Sequence, residues 1–510
     1  QISKYIGISF LAFILYISYI SIVRPLLFRL RYKKYKNVYI GKCFIPFIGD
    51  LIYHLNDEKA NKVHYTHLRR QANTFLKYDL KVEIEGTTPQ LVFISNKAVK
   101  EVVALIPSKI DKLTWEKGLM KVAHGSFCND PTTVKMKARR KAVTSLLGLN
   151  SASKYIPVML EKADKALSEL RENKTSDFLK MMNKLTFEIF TCILFGNDVD
   201  YLSNELYPFE KSDGTFDKIT LCEIFIRLGK DYMIEHYHPL TSIFPPLNDY
   251  NLLGQWSRNG KNFTVFKNAV KKMIADSKDQ NSVWAKMREL NEFTNDEIFY
   301  DLILLILGGS ETSSHILTTI FYNLAKSPEV KNKLNEEFAE SGLRDNTDLK
   351  SKIILDNIQN FDYLALVIKE ALRMDPPVPT SFYYCAKEDI TICDVDIQKG
   401  TIFRFEVVSP HFFEEHWLEP YTFVPERFDP ESEFSKRSVK QGKISEVYSR
   451  RPFGHGARSC PGQTFGVLEV KALVSYLLPQ MNYTVDQKIL ENEDVGFALG
   501  SHFIPQFTVE

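Results

Sequence analysis

Between Tyr5 and Val23 the chain reads YIGISFLAFILYISYISIV, 19 residues without a charge. As a helix rising about 1.5 Å per residue, this run is long enough to cross the hydrocarbon core of a bilayer. Arg24, Arg29, Arg31, Lys33, Lys34 and Lys36 follow it, whereas only Lys4 precedes it. That asymmetry predicts a single-pass anchor with everything after it in the cytosol. A cleaved signal peptide is the alternative, but its apolar region is shorter and leads into a small-residue cleavage site rather than a basic run. The expected division is an anchor over 1–23, a basic linker and hinge over 24–50, and a body over 51–510. The chain opens on Gln1, so its true start is expected upstream.

The body has an ordinary globular composition, with 44% hydrophobic and 25% charged residues over the 510-residue chain. Length alone suits about three average domains or one large core. No internal repeat, low-complexity tract or Gly/Ser linker divides it, so one large domain is expected. A net charge of +2 gives no reason to expect a nucleic-acid partner. The seven cysteines, at 43, 128, 192, 222, 385, 393 and 460, are odd in number, scattered, and free of any C-x-x-C pair. They form neither a disulfide framework nor a zinc cluster, which suits a reducing compartment.

Strand patterns occur in LKVEIEG before a turn at Gly86 to Pro89, in LVFIS after it, and later in DITICDVDIQKGTIFRF. Helical patterns dominate between them. The longest begins at Thr294, with Glu297 three residues on as a capping box and Phe293 as a staple, and runs to about Lys326. Ser327-Pro328-Glu329 then starts another helix. The fold class expected is mainly α with smaller β-sheets (α+β), a single helical domain behind the anchor.

Three stretches carry chemistry. In LLILGGSETSSH, Leu304 to His315, two adjacent glycines cost a helix about 1 kcal/mol each relative to alanine. Either they form a packing kink beside a solvated Glu, or a ligand lies over them while Glu311 and Thr312 carry protons. In IKEALRMDPPVP, Glu370 and Arg373 share a helix face, and Arg427 of FVPERFDP can reach back to them as a structural cluster. In RPFGHGARSCPG, Cys460 stands alone among glycines, with Arg458 two residues before it to offset negative charge. A buried structural cysteine is one reading. The other is the axial ligand of a haem, whose porphyrin supplies four nitrogens, so that one thiolate suffices.

The ordered set Phe453, Gly456, Arg458, Cys460 and Gly462 resembles the haem loop of the cytochrome P450 family. Gly309-x-Glu311-Thr312 resembles the family's oxygen-activating helix, and Glu370-x-x-Arg373 with Pro425-Glu426-Arg427-Phe428 its structural cluster. The resemblance implies a membrane-anchored haem-thiolate monooxygenase of the endoplasmic reticulum facing the cytosol. Cys460 would ligate the iron of haem b, Arg458 would hold a propionate, and Phe453, Gly456 and Gly309 would line the cofactor. Glu311 and Thr312 would deliver protons to O2, and the substrate would be an apolar small molecule. The chain lacks a Gly-rich dinucleotide motif after a strand. Electrons from NADPH would therefore come through a flavoprotein reductase, with cytochrome b5 as a second donor. Lys135, Lys137, Arg139, Arg140 and Lys141 would contribute to its docking face, or simply be solvated.

The sequence departs from the family pattern in three places. TTVKMKARRKAV has Arg139 and Arg140 but no Trp four residues ahead, Tyr384 stands where the family often has Arg, and the hinge prolines are reduced to Pro46. Two rivals remain at this level: a haem-thiolate isomerase or dehydratase, which often lacks the acid–Thr pair, and a haem binder without enzymatic activity.

Overall fold

The computed structural model of the chain describes residues 2–509 apart from 43, 51, 54–65, 115–120, 123, 174, 197–204, 238–253, 344–347, 444–446 and 487–505. Helix α1 (Ile2–Ser18), a π turn (Tyr19–Val23) and helix α2 (Arg24–Tyr32) run on from one another. Tyr5–Tyr32 is long and apolar enough to cross a membrane. Its outer part leaves Phe10, Leu11 and Leu15 exposed, as a lipid-facing helix must. The π turn lies just before Pro25, which has no N–H to donate.

The inner end of this helix belongs to the body. Tyr32 is fully buried, the Phe28 ring packs tilted against it with centroids 4.9 Å apart, and Arg29 donates to the Gly41 carbonyl. Part of the segment expected as a linker is thus helix, followed by strand β1 (Val38–Ile40).

The main sheet contains β1, β2 (Leu80–Glu85), β3 (Thr88–Phe93), β4 (Ile110–Lys112), β5 (Tyr384–Ala386) and β6 (Ile402–Phe405), in the order β1-β2-β3-β6-β5-β4. β2 and β3 form the expected hairpin, Leu80 opposite Phe93 and Glu85 opposite Thr88, turned at Gly86 with φ +63°. Thr391 and Asp396 pair across a separate small hairpin, and β6 lies parallel to β3. The later strand-rich stretch is therefore divided between two sheets.

The remaining core is helical. Important to the site are α3 (Asn96–Leu105), α4 (Val134–Leu146), α5 (Phe178–Phe195), α6 (Asn295–Ile306), α7 (Thr312–Lys326), α8 (Asp362–Met374) and α9 (Gln463–Leu477). Thr294 and Glu297 form the expected capping box, with Thr294 N donating to Glu297 Oε2 at 2.9 Å and Glu297 N to Thr294 Oγ1 at 3.2 Å. The long helix continues to Lys326, but a π segment (Leu307–Glu311) joins α6 to α7 at the glycine pair.

Both glycines line the cavity described below, and one of them also serves close packing. A Cβ on Gly309 would lie 2.1 Å from the Phe190 ring, so Gly309 lets α5 approach the long helix. A Cβ on Gly308 would meet nothing within 4 Å. Gly308 opens on the cavity described below.

Glu370 on α8 is fully buried and its carboxylate gathers one of the main loop contacts of the fold. Arg373 donates to it twice at 2.8 Å, Arg427 Nε donates at 2.9 Å, and so does the Val424 amide at 2.9 Å. Arg373 also donates to the His411 and Pro420 carbonyls at 2.7 and 2.8 Å. Burial pushes the Glu370 carboxyl up, but Arg373 and Arg427 more than offset it and hold it below the usual range. The expected structural cluster is present.

Candidate active site

Cys460 sits at the end of the glycine loop, just ahead of α9. Its amide donates to the Phe453 carbonyl at 2.8 Å, which closes the loop on itself. Gly454 and Gly456 adopt φ +66° and +73°, where side chains are strained. A Cβ on Gly456 would also come within 2.6 Å of Val103 Cγ1 on α3. The glycine spacing read from the sequence thus has a steric cause, and it leaves the thiol facing a cavity.

That cavity is walled by apolar side chains of α6, α7, α8 and the loop after α8, among them Leu305, Ile316, Leu372 and Val378. Cys460, Phe453, Gly309 and Thr312 all line it, and Arg458 reaches it from the glycine loop. Five of the expected site residues therefore meet in one place. Gly456 acts through the loop, and Glu311 lies behind Thr312 on the π segment.

Thr312 donates its hydroxyl to the Gly308 carbonyl at 2.6 Å. Burial pushes the Glu311 carboxyl up to about 7, opposed only by Lys230. An acid in that range can give and take protons at neutral pH. A second buried acid was not foreseen. Ser313, beside Thr312 in the cavity wall, donates to Glu469 Oε2 at 2.5 Å, and burial pushes Glu469 up to about 8. Glu469 comes from α9, 156 residues away, so nothing local in the sequence pairs the two.

Two sequence expectations are corrected. Arg458 is not the cation that offsets charge on the thiol: its guanidinium donates to Thr132 Oγ1 at 3.0 Å and to the Phe127, Cys128 and Asp130 carbonyls at 3.1, 3.2 and 2.9 Å. Burial raises the Cys460 thiol, and the opposing influences are the Gly462 amide and Arg140. Arg140 also donates to the Ser459 carbonyl.

Arg139 is not on a basic docking face either. It is buried, with Nε donating to Asp301 at 2.8 Å and Nη2 to the Gly125 carbonyl at 2.7 Å. The signal was its spacing from Met136 and Val143, which puts all three on the buried stripe of α4. Lys135, Lys137 and Lys141 are exposed, and Lys135 pairs with Glu297 at 2.6 Å.

The arrangement fits a haem held by one protein ligand. Among the described residues no group of three or more His, Cys, Asp or Glu side chains gathers to hold a bare metal ion. The described cysteines are free, and Cys43 lies outside the described residues. The cavity offers a thiol, apolar walls for a flat ring, and the cations Lys112, Arg140 and Arg458 for its carboxylates. Tyr384, where the family often has Arg, lines the cavity beside Lys112, its ring centroid 4.2 Å from the ammonium.

Comparison with known proteins agrees with this geometry. Cytochrome P450 3A18 of Rattus norvegicus is 28% identical over 341 residues, covering 64% of each chain, so the match spans just under two thirds of that relative. Cytochrome P450 3A25 of Mus musculus is 28% identical over 381 residues and 70% of each chain, and 3A11 of the same species is 24% identical over 422 residues and 78% of each. The cytochrome P450 family pattern matches residues 45–501, nearly the whole body with its loop, long helix and cluster, and the chain belongs to that family.

Proposed function

We propose that this protein is a monooxygenase that inserts one oxygen atom of O2 into an apolar organic substrate, with electrons from NADPH delivered by a partner flavoprotein reductase and, secondarily, cytochrome b5. The observation that carries the reading is the shared cavity: the Cys460 thiol, the Thr312 hydroxyl and an apolar wall face the same space. Haem b, when bound through Cys460, supplies the iron at which dioxygen is reduced and split, a known property of haem-thiolate proteins.

The chain's own residues do the rest. Apolar walls exclude water and take an apolar substrate. Thr312, just past the end of the π segment, holds a hydroxyl hydrogen-bonded to the Gly308 carbonyl. Glu311, poised near neutrality, exchanges protons with it. Phe453 and Gly309 shape the site, and Arg458 braces the loop from behind. The apolar N-terminal helix supports a membrane anchor, which we place in the endoplasmic reticulum with the body in the cytosol, and we divide the chain into 1–23, 24–50 and 51–510, the middle part carrying the end of α2 and the strand β1 that pack on the body.

Thr312→Ala tests the reading. Removing the hydroxyl leaves Cys460 intact but interrupts proton delivery, so peroxide formed per NADPH consumed should rise in the reductase-supported reaction. Unchanged coupling removes Thr312 from the mechanism. Turnover that needs no reductase would favour the isomerase alternative.

A further inference from the structure

His411 lies in a 3-10 turn (Ser409–Phe412) and is fully buried. A buried imidazole is costly unless its nitrogens find partners, and here both do. Nδ1 lies 3.0 Å from the Arg373 carbonyl, and the Arg451 amide donates to Nε2 at 3.0 Å. These partners fix the proton: a carbonyl only accepts and an amide only donates, so Nδ1 carries the hydrogen and Nε2 is bare. A second proton would set one N–H against another. Burial and the flanking Arg373, Arg451 and Arg450 keep the ring neutral, its pKa well below the ordinary histidine value.

The two partners come from separate parts of the site. Arg373, at the end of α8, is the cation paired with buried Glu370, and it also donates to the His411 carbonyl at 2.7 Å. Helix and turn are therefore tied in both directions. Arg451 opens the glycine loop. Its carbonyl accepts from the Gly454 amide at 3.1 Å, and the other side of that same peptide, the Phe453 carbonyl, accepts from the Cys460 amide at 2.8 Å. Pro452, between them, has no amide to donate. The Arg451 side chain is buried too, donating to the Tyr448 and Ile94 carbonyls at 2.9 and 3.0 Å, so this residue is held at both ends. An unbroken run of hydrogen bonds thus leads from the Glu370 cluster through the imidazole to the backbone of Cys460.

We propose that His411 is a positioning residue for the Cys460 thiolate: its neutral ring ties the peptide that opens the glycine loop to the Arg373 carbonyl, and so transmits the rigidity of the buried Glu370 cluster to the iron ligand. The proposal rests on the haem reading above. His411 does not line the cavity and touches none of the reacting groups. Its bond to the Arg451 amide is the link that the rest of the loop hangs on.

The test uses the full chain loaded with haem and two substitutions that each keep one of the two bonds. Asn places an amide nitrogen where Nδ1 stands, and Gln places an oxygen where Nε2 stands. The red-shifted band of the reduced carbon monoxide complex reports ligation by Cys460, and it is followed in urea below the unfolding transition seen by circular dichroism. At the concentration where wild type has lost half of the shifted band, His411→Gln should lie close to wild type. His411→Asn should show a ratio of shifted to unshifted form about 10-fold lower, the size of one buried amide left without its acceptor.

Equal losses in the two variants overturn the assignment, because the ring then acts only in packing. So does a His411→Gln that loses the band while His411→Asn keeps it. Hydrogen exchange of the wild type decides the matter if neither variant takes up haem: the amides of Arg451, Gly454 and Cys460 should open together as urea is raised, and an Arg451 amide that opens independently of Cys460 overturns the proposal. A wild type that lacks the shifted band before any substitution brings down the haem reading itself, and this inference with it.

Discussion

Replacing Glu370 by Gln keeps the shape of the side chain and removes the one negative charge between Arg373 and Arg427. The carboxylate is fully buried and accepts two hydrogen bonds from Arg373, one from Arg427 and one from the Val424 amide. At about 1.5–3 kcal/mol for each bond to a charged group, a simple sum reaches about 6–12 kcal/mol. That overstates the loss, because the cations keep other acceptors: Arg373 has the His411 and Pro420 carbonyls, and Arg427 has those of Leu418, Glu419 and Thr422.

The expected cost is therefore that of breaking a buried ion pair from one side, about 3–5 kcal/mol. An unfolding entropy of about 2.1 cal/mol/K per residue gives a chain of this length about 1 kcal/mol/K, so the melting temperature should fall by about 3–5 °C. Circular dichroism of the full chain in detergent, with the haem absorption followed on the same ramp, measures it. A fall below about 1 °C would refute the reasoning, since the charge would then not be coupled to the loop it gathers.

Gly309→Ala should destabilise the protein by about 1–3 kcal/mol through overlap with Phe190, and Gly308→Ala should not; Phe190→Leu should rescue the first variant in a melting experiment. Glu469 yields a pH dependence of definite sign. Its folded pKa of about 8 lies above the usual glutamate value near 4.3, so between those limits the folded state holds a proton that the unfolded state releases. Its contribution to stability should fall with rising pH, by up to about 1.4 kcal/mol per unit across that window, and Glu469→Gln should remove that part of the slope in denaturant titrations at several pH values. A slope unaltered by the substitution would mean that Glu469 is ionised throughout.

What the sequence made legible was local. Thr294 and Glu297 sit three apart and cap a helix wherever it goes, and Glu370 and Arg373 share one turn of α8. Gly456 and Cys460 lie in one short loop whose backbone demands are written in its glycines. The uncharged run from Tyr5 declared its helix by composition, but not that Tyr32 would be buried against the sheet. Less visible was whatever depends on a partner far along the chain. Ser313 finds Glu469 and Lys112 finds Phe382 only after α9 and the segment leading into β5 have packed. On α4, neighbouring arginines differ in fate because one step turns a helix by about 100°: Arg139 follows Met136 and Val143 inward to Asp301, while Arg140 reaches the glycine loop. Reading the basic run as one face missed that rotation. Arg458 lies two residues before Cys460 in sequence, yet its guanidinium is engaged by the Phe127 and Cys128 carbonyls, partners that lie far back along the chain.

The central claim is that Cys460 is the thiolate ligand of a haem iron, and the absorption spectrum of the reduced protein with carbon monoxide tests it most directly. Thiolate donation should produce a strongly red-shifted main band in the wild type. Cys460→His should abolish the shift even where haem is retained, because a neutral imidazole donates less charge to the iron. Substituting Cys128, which also lines the cavity, should leave the band in place. A wild-type protein that binds haem without the shift, or a shift that survives Cys460→His, would contradict the account.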